Sequence, residues 1–210
     1  MKPILSLADL HERVLEVGFV PFMGRKERLL FPLTGLTPNA WFTGEDDDPW
    51  GWRMEIAAGD EIAYGKFFLG QAGFIAAGLL PCFIALRRKN WSAEELYEGG
   101  LLSREAFGIY GALEGRARPS HEIKREVGAK GFDRAAVELQ MKMLVTIAGE
   151  EQKLDRFGLP YGWPSARLQR LEERFPCEAA GEEAALQALL ARLTSMSGAP
   201  QKAKLKLLLG

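Results

Sequence analysis

Apolar residues recur at helical spacing near the start of the chain. Leu7, Leu10, Val14 and Val17 fall on one face, Ser6 stands before them as an N-cap, and Gly18 follows as a helix-ending residue. Asp9 lies in the electropositive first turn. The stretch 19–23 is apolar but is broken by Pro21 and too short for another helix. Thr37-Pro38 and Asp48-Pro49 each read as an N-cap followed by proline at the first helical position. They predict two short helices, one carrying Trp41 and Phe42, the other Trp50 and Trp52. Residues 61–68 have the aromatic content of a strand, and Gly70-Gln71 turns it back into residues 73–76 as a hairpin. Leu79, Leu80, Phe83 and Ile84 predict a buried helix ending in Arg87-Arg88-Lys89, cations that suit a helix C-terminus. A short capped helix over 92–99 leads to a boundary at Gly99-Gly100.

The second half changes its period twice. Ser103 caps a helix running to about Glu114, with Ala106, Phe107, Tyr110 and Leu113 toward a core. Pro119-Ser120 opens a second helix, with Ile123 and Val127, closed by Gly128. A third starts near Phe132, where Phe132, Ala135 or Ala136, Leu139 and Met143 form one apolar face. Residues 144–148 then switch to β-branched chemistry, 155–158 read as a turn, and a strand returns over 165–168. Pro160 and Pro164 predict that this strand lies at a sheet edge. Three helices followed by two strands, with Gly128 and Gly131 at the corner between the last two helices, is the order of a winged helix-turn-helix. Residues 182–193 form an apolar-faced helix, Gly198 and Pro200 break it, and 202–209 predict a last short one.

Composition narrows the classes. With 210 residues, 47% hydrophobic and 26% charged, the chain is globular and holds one large domain or two small ones. No apolar run is long enough to span a membrane, and the N-terminus reads as neither signal nor transit peptide, so the expected address is cytoplasmic. Cys82 and Cys177 make neither a disulfide framework nor a zinc set. A net charge of −1 provides no general attraction to nucleic acid. The positive charge is local: residues 116–134 hold six basic and three acidic residues.

Several strings carry a family resemblance. Asp48-Pro49-Trp50-Gly51-Trp52, Ala63-Tyr64-Gly65-Lys66-Phe67-Phe68, Gly73-Phe74-Ile75, Phe132-Asp133-Arg134 with Leu139-Gln140-Met141, and Pro160-Tyr161-Gly162-Trp163 with Ala166-Arg167 resemble short bacterial winged-helix proteins related to the AlkZ/YcaQ DNA glycosylases. The resemblance covers about residues 6–170 and implies a DNA-associated winged-helix protein. It carries over no active site. Those glycosylases use a Gln-x-Gln or Gln-x-Asp motif to activate water, and Gln71, Gln140, Gln152, Gln169, Gln187 and Gln201 all lack the second residue.

The third helix is the candidate recognition helix. Lys130, Arg134, Gln140 and Lys142 lie at or beside its polar surface, and Lys124 and Arg125 flank it. Arginine can bond guanine, glutamine can read adenine, and lysine meets phosphate. Asp133 and Glu138 on the same helix would repel phosphate, so a solvated helix that binds protein is the competing reading. Trp50, Trp52, Tyr64 and Lys66 mark a candidate ligand pocket that could stack a base; the blander reading is an aromatic core. Residues 45–48 are acidic, but their spacing fits a solvated loop and N-cap better than a metal site. His11 and His121 are solitary and have no assigned catalytic role, and neither a metal nor a cofactor is expected.

The resulting expectation is an α+β protein in three parts: an aromatic-rich region over 1–98, a winged helix over 99–170 and a helical tail over 171–210. The leading function is non-catalytic DNA binding in DNA repair or transcription regulation. A divergent glycosylase-like enzyme and a protein-interaction or ligand-sensing module remain alternatives. DNA is the expected partner, a membrane is not, and a homodimer stays open.

Overall fold

Local signals set most of the elements. The computed structural model describes residues 2–23 and 32–197. Helix α1 (Leu7–Val17) is capped by the Ser6 hydroxyl, which accepts from the Asp9 amide, and ends at Gly18 with φ of 91°. Strand β1 (Phe19–Pro21) follows. Helix α2 (Pro49–Ala58) starts where predicted, capped by Asp48. Strands β2 (Ile62–Phe68) and β3 (Gln71–Ala76) form the predicted hairpin. Helices α3 (Leu80–Arg88) and α4 (Ala93–Glu98) come next, the second held by a Ser92–Glu95 capping box. Helix α5 (Arg104–Gly111), strand β4 (Arg118–Pro119), helices α6 (Ser120–Val127) and α7 (Phe132–Met141), and strands β5 (Val145–Glu151) and β6 (Ser165–Arg170) complete the middle. Short α8 (Leu171–Arg174) and long α9 (Glu182–Ser197) close the described chain. The expected helix over 202–209, with its breakers Gly198 and Pro200, lies outside the described residues.

The architecture is mixed α/β around one antiparallel sheet in the order β1-β3-β2-β5-β6-β4. The sheet runs through the boundary expected at Gly99-Gly100: Tyr64 on β2 pairs with Ile147 on β5. The fully buried Thr146 hydroxyl reinforces the seam by donating to the Tyr64 carbonyl at 2.9 Å. In the β2–β3 half, alternation splits the side chains between two cores. Phe19, Ala63, Phe67 and Ile75 pack with α3 and α9 through Phe83, Leu189 and Leu193. Val20, Ile62, Tyr64 and Phe74 pack with α1 and α2 through Leu10, Val14, Trp52 and Ile56. A third core joins α4, α5, α6 and α7 to β5 and β6. Helices covering both faces of β2 and β3 explain why those strands read as near-continuous apolar runs.

Two expectations are corrected. No helix follows Thr37-Pro38: the Thr37 hydroxyl accepts from the Asn39 amide as a tight turn, and the Asn39 side chain donates to the Leu5 and Asp47 carbonyls. These bonds compete with a helical ladder, and Phe42 sits at φ 64°. Strand β6 is not an edge. Its proline neighbours precede it, and the two-residue β4 covers its outer side through Arg118↔Leu168 and Pro119↔Arg167.

Candidate nucleic-acid interface

Helices α6 and α7 meet at a glycine corner. Gly128 (φ 99°) ends α6 and Gly131 (φ 77°) stands at the N-cap of α7. Both sit in a region that side-chain-bearing residues rarely adopt. Helix α7 buries Phe132, Ala135, Ala136 and Leu139, which turns Asp133 and Arg134 outward. Arg125, Lys130 and Arg134 are exposed and have no ion-pair partner among the described residues. Lys124 is committed: its ammonium lies 3.1 Å from the Asp133 carboxylate and 5.3 Å from the Phe132 ring centre, so it ties α6 to α7. Lys142 is half-buried just past the end of α7.

The two acids on α7 are also spoken for. Glu138 accepts from the Ser103 amide at 2.9 Å and the Ser103 hydroxyl at 2.6 Å, pinning the start of α5. Asp133 answers Lys124. Both carboxylates are therefore engaged within the fold, Asp133 by a cation and Glu138 by neutral donors that leave its charge in place.

Gln140 corrects the sequence reading. It was expected on the polar surface of α7, yet it is only 4% exposed. Its Oε1 accepts from the Lys66 amide at 2.8 Å and its Nε2 donates to the Ala136 carbonyl at 2.8 Å. Gly65 leaves room beside the contact: a Cβ there would lie 2.9 Å from the Phe67 ring and 3.1 Å from that Oε1. Gln140 is thus a strut between α7 and β2, with both polar ends engaged inside the fold.

Beside α6, the Ser120 and Ser165 hydroxyls are 2.9 Å apart, and the His121 amide donates to Ser165 at 3.2 Å. This anchors the start of β6 to the start of α6. Between β5 and β6 the chain makes a long tip. Asp155 Oδ1 accepts from the Phe157 and Leu159 amides at 2.8 and 2.9 Å, Leu154 bridges Pro160, and the Gln152 side chain donates to the carbonyls of Lys153, Tyr161 and Gly162. Leu154, Phe157, Leu159, Tyr161 and Trp163 stand exposed on it. Sequence reasoning took this segment as a turn; the overlooked signal is large apolar residues crowded among glycines and a proline.

The four residues of the candidate ligand pocket do not share one surface. Trp52 is 1% exposed and its indole donates to the Asp46 carbonyl at 3.0 Å. Tyr64 is buried, and burial pushes its phenol up to about 12 while Arg53 pulls it partly back. Trp50 is half-buried, with the Arg53 guanidinium 3.6 Å over its ring. Lys66 is exposed, away from that stack in burial if not in sequence. The unforeseen hub is Phe22, whose ring lies 5.3–6.1 Å from those of Trp41, Trp50, Tyr64 and Phe74. The set is an aromatic core. Sequence reading also missed Arg53, which sits between Trp50, Tyr64 and Glu150; the Glu150 carboxylate is 3.9 Å from its guanidinium.

Asp48 serves as the predicted N-cap. Burial pushes its pKa up, but the amides of Gly44, Trp50 and Phe42 donate to the carboxylate and outweigh that, holding it below the usual value. His11 pairs with Glu61 at 3.2 Å on the wall of a cavity of about 370 Å³ that Glu55, Ile56 and Asp60 also line. Among the described residues no helix is long and apolar enough to cross a membrane.

The fold and this surface define a mixed α/β protein whose α6–α7 surface exposes Arg125, Lys130 and Arg134 and whose β5–β6 tip is aromatic. A family model described as AlkZ related matches residues 4–210, and the chain belongs to that family. The membership relates it to AlkZ, as the quoted strings imply, and so links it to DNA repair. No curated protein and no solved structure matches the chain.

Proposed function

We propose that residues 99–170 form a winged helix-turn-helix that binds duplex DNA through α6 and α7, in a cytoplasmic protein that serves DNA repair or its regulation without cutting DNA itself. The observation that carries the reading is the pairing of β4 with β6. It completes the order helix, strand, helix, helix, strand, strand, with α7 as the second helix of the glycine-cornered pair. Family membership supports DNA as the ligand class, and the exposed Arg125, Lys130 and Arg134 supply the phosphate- and base-directed charge.

With net charge −1, affinity must come from this surface and not from a general field. Arg134→Glu is expected to weaken duplex binding by about 1–3 kcal/mol if the guanidinium reaches a base. It should leave the melting transition unchanged, because Arg134 is exposed. Removing Lys130 should weaken all sequences alike and flatten the salt dependence by roughly one unit. Fluorescence anisotropy at two salt concentrations checks both. Folded protein that binds no duplex even at low salt would sink the reading and leave α6 and α7 as a protein-binding element.

The non-catalytic half rests on the glutamines. None is followed two positions on by glutamine or aspartate, and a positioned general base commonly supplies ~10²–10⁴-fold in rate. Incubation with N7-alkylated duplex is therefore expected to leave abasic sites at background. Multiple turnover would favour the enzyme alternative instead.

A further inference from the structure

Five of the thirteen exposed large hydrophobic residues described lie within positions 154–163, so apolar exposure is concentrated at the tip between β5 and β6. Trp163 is 81% exposed, Phe157 72% and Leu159 61%. The tip is not loosely built: the Asp155 turn, the Leu154–Pro160 bridge and the Gln152 amide fix its backbone. Rings held open to solvent on an ordered frame are preorganised to bind, and a concentration of this kind marks an interaction site.

Charge narrows the partner. Lys153 and Arg156 stand among these residues, and the Arg156 guanidinium lies 4.6 Å from the Phe157 ring centre. The tip's own carboxylate, Asp155, is turned to backbone amides. At the base, Glu150 and Glu151 face Arg53 and Arg167, each at 3.9 Å. The tip therefore presents flat rings and unanswered cations together. That pairing suits nucleobase faces flanked by phosphates, where rings stack on bases and cations meet the backbone. A paired duplex hides its base faces inside the stack, so these rings find partners only where bases are unpaired or a step has opened. The anchoring of Ser165 to Ser120 and His121 joins the base of the tip to the start of α6, continuous with the surface proposed above.

We infer that the tip, through Phe157, Tyr161 and Trp163, stacks on unpaired nucleobases beside the duplex held by α6 and α7. The protein then prefers bulged, gapped or single-stranded junction DNA to intact duplex. The inference rests on the DNA-binding reading and deepens it.

The test compares anisotropy titrations of a short fluorescent duplex, the same duplex carrying a three-base bulge, and the corresponding single strand. The protein is the full chain and its Phe157→Ala/Trp163→Ala variant. Wild type should bind the bulged duplex about tenfold or more tighter than the intact one. The double variant should lose that preference while keeping its intact-duplex affinity and its melting transition, since both rings are exposed. Equal wild-type affinity for intact and bulged duplex overturns the inference and leaves the duplex reading standing. A preference unchanged in the double variant overturns it too. No binding to any of the three overturns both. Sedimentation in which wild type self-associates and the variant does not would assign the tip to a second copy of the chain and overturn stacking on bases.

Discussion

Replacing Trp52 by alanine is expected to lower the unfolding free energy by about 3–5 kcal/mol. The ring is 1% exposed in the core that α2 shares with α1 and the β2–β3 face. Truncation removes the transfer energy of a large aromatic, leaves a cavity in that core, and frees the Asp46 carbonyl that its indole nitrogen holds. Against a typical domain stability of about 5–15 kcal/mol that is a large fraction. Trp50→Ala is the control. Its ring is half-buried and stacked by Arg53, so the loss should be clearly smaller. Urea titrations at matched slope compare the two. A loss below about 1 kcal/mol at Trp52 would mean that its site collapses freely or that the ring is not core, and would revive the stacking-pocket reading of the aromatic region.

Gly73→Ala is expected to cost about 3 kcal/mol, at the upper end for overpacking. Gly73 pairs with Pro21 on one side and Gly65 on the other, in the middle of the β1-β3-β2 ladder. An added Cβ would lie 2.4 Å from a ring carbon of Phe68 and 2.9 Å from the Pro21 Cα. Neither can yield cheaply: Phe68 is 1% exposed and packed in the core below α3, and the Pro21 atom is backbone. Gly78→Ala makes a fair comparison, because nothing lies within 4 Å of the added carbon. Thermal melts of the two variants should differ widely. Equal melts would mean that β1 shifts to accommodate the methyl and contributes little to stability.

Both sites belong to motifs visible in the chain: the Asp48 cap and the aromatic-core reading of Trp52 were legible there, and the role of Gly73 was not. Gly73-Phe74-Ile75 and Asp48-Pro49-Trp50-Gly51-Trp52 stood out as family strings. The structure makes them packing devices, one allowing β1 to close on β3 and the other capping and filling α2. The candidate DNA surface was partly legible. Arg125 on α6 and Arg134 on α7 are exposed, Lys130 is exposed in the corner between the helices, Lys124 is tied to Asp133 and Gln140 is buried. A residue's face follows from its own helix. Whether that face meets solvent or another element does not.

Signals that act within one turn of chain were readable from residue order alone. Caps at Ser6, Asp48, Ser92 and Ser103 mark helix starts because a side-chain oxygen satisfies an amide two or three residues on. The 3.6 period of Phe132, Ala135, Ala136 and Leu139 marks the face of α7 for the same local reason. The rest depended on partners far along the chain. Three residues with a proline became β1 only because β3 lay beside them. Arg118-Pro119 became a strand only because β6 needed a neighbour. One sheet joins the two halves through Tyr64 and Ile147, and Gln140 is buried because the Lys66 amide reaches it across 74 positions. Backbone groups left over by one element must be satisfied by another, and which element supplies the partner is settled by packing in three dimensions, beyond the reach of any local pattern.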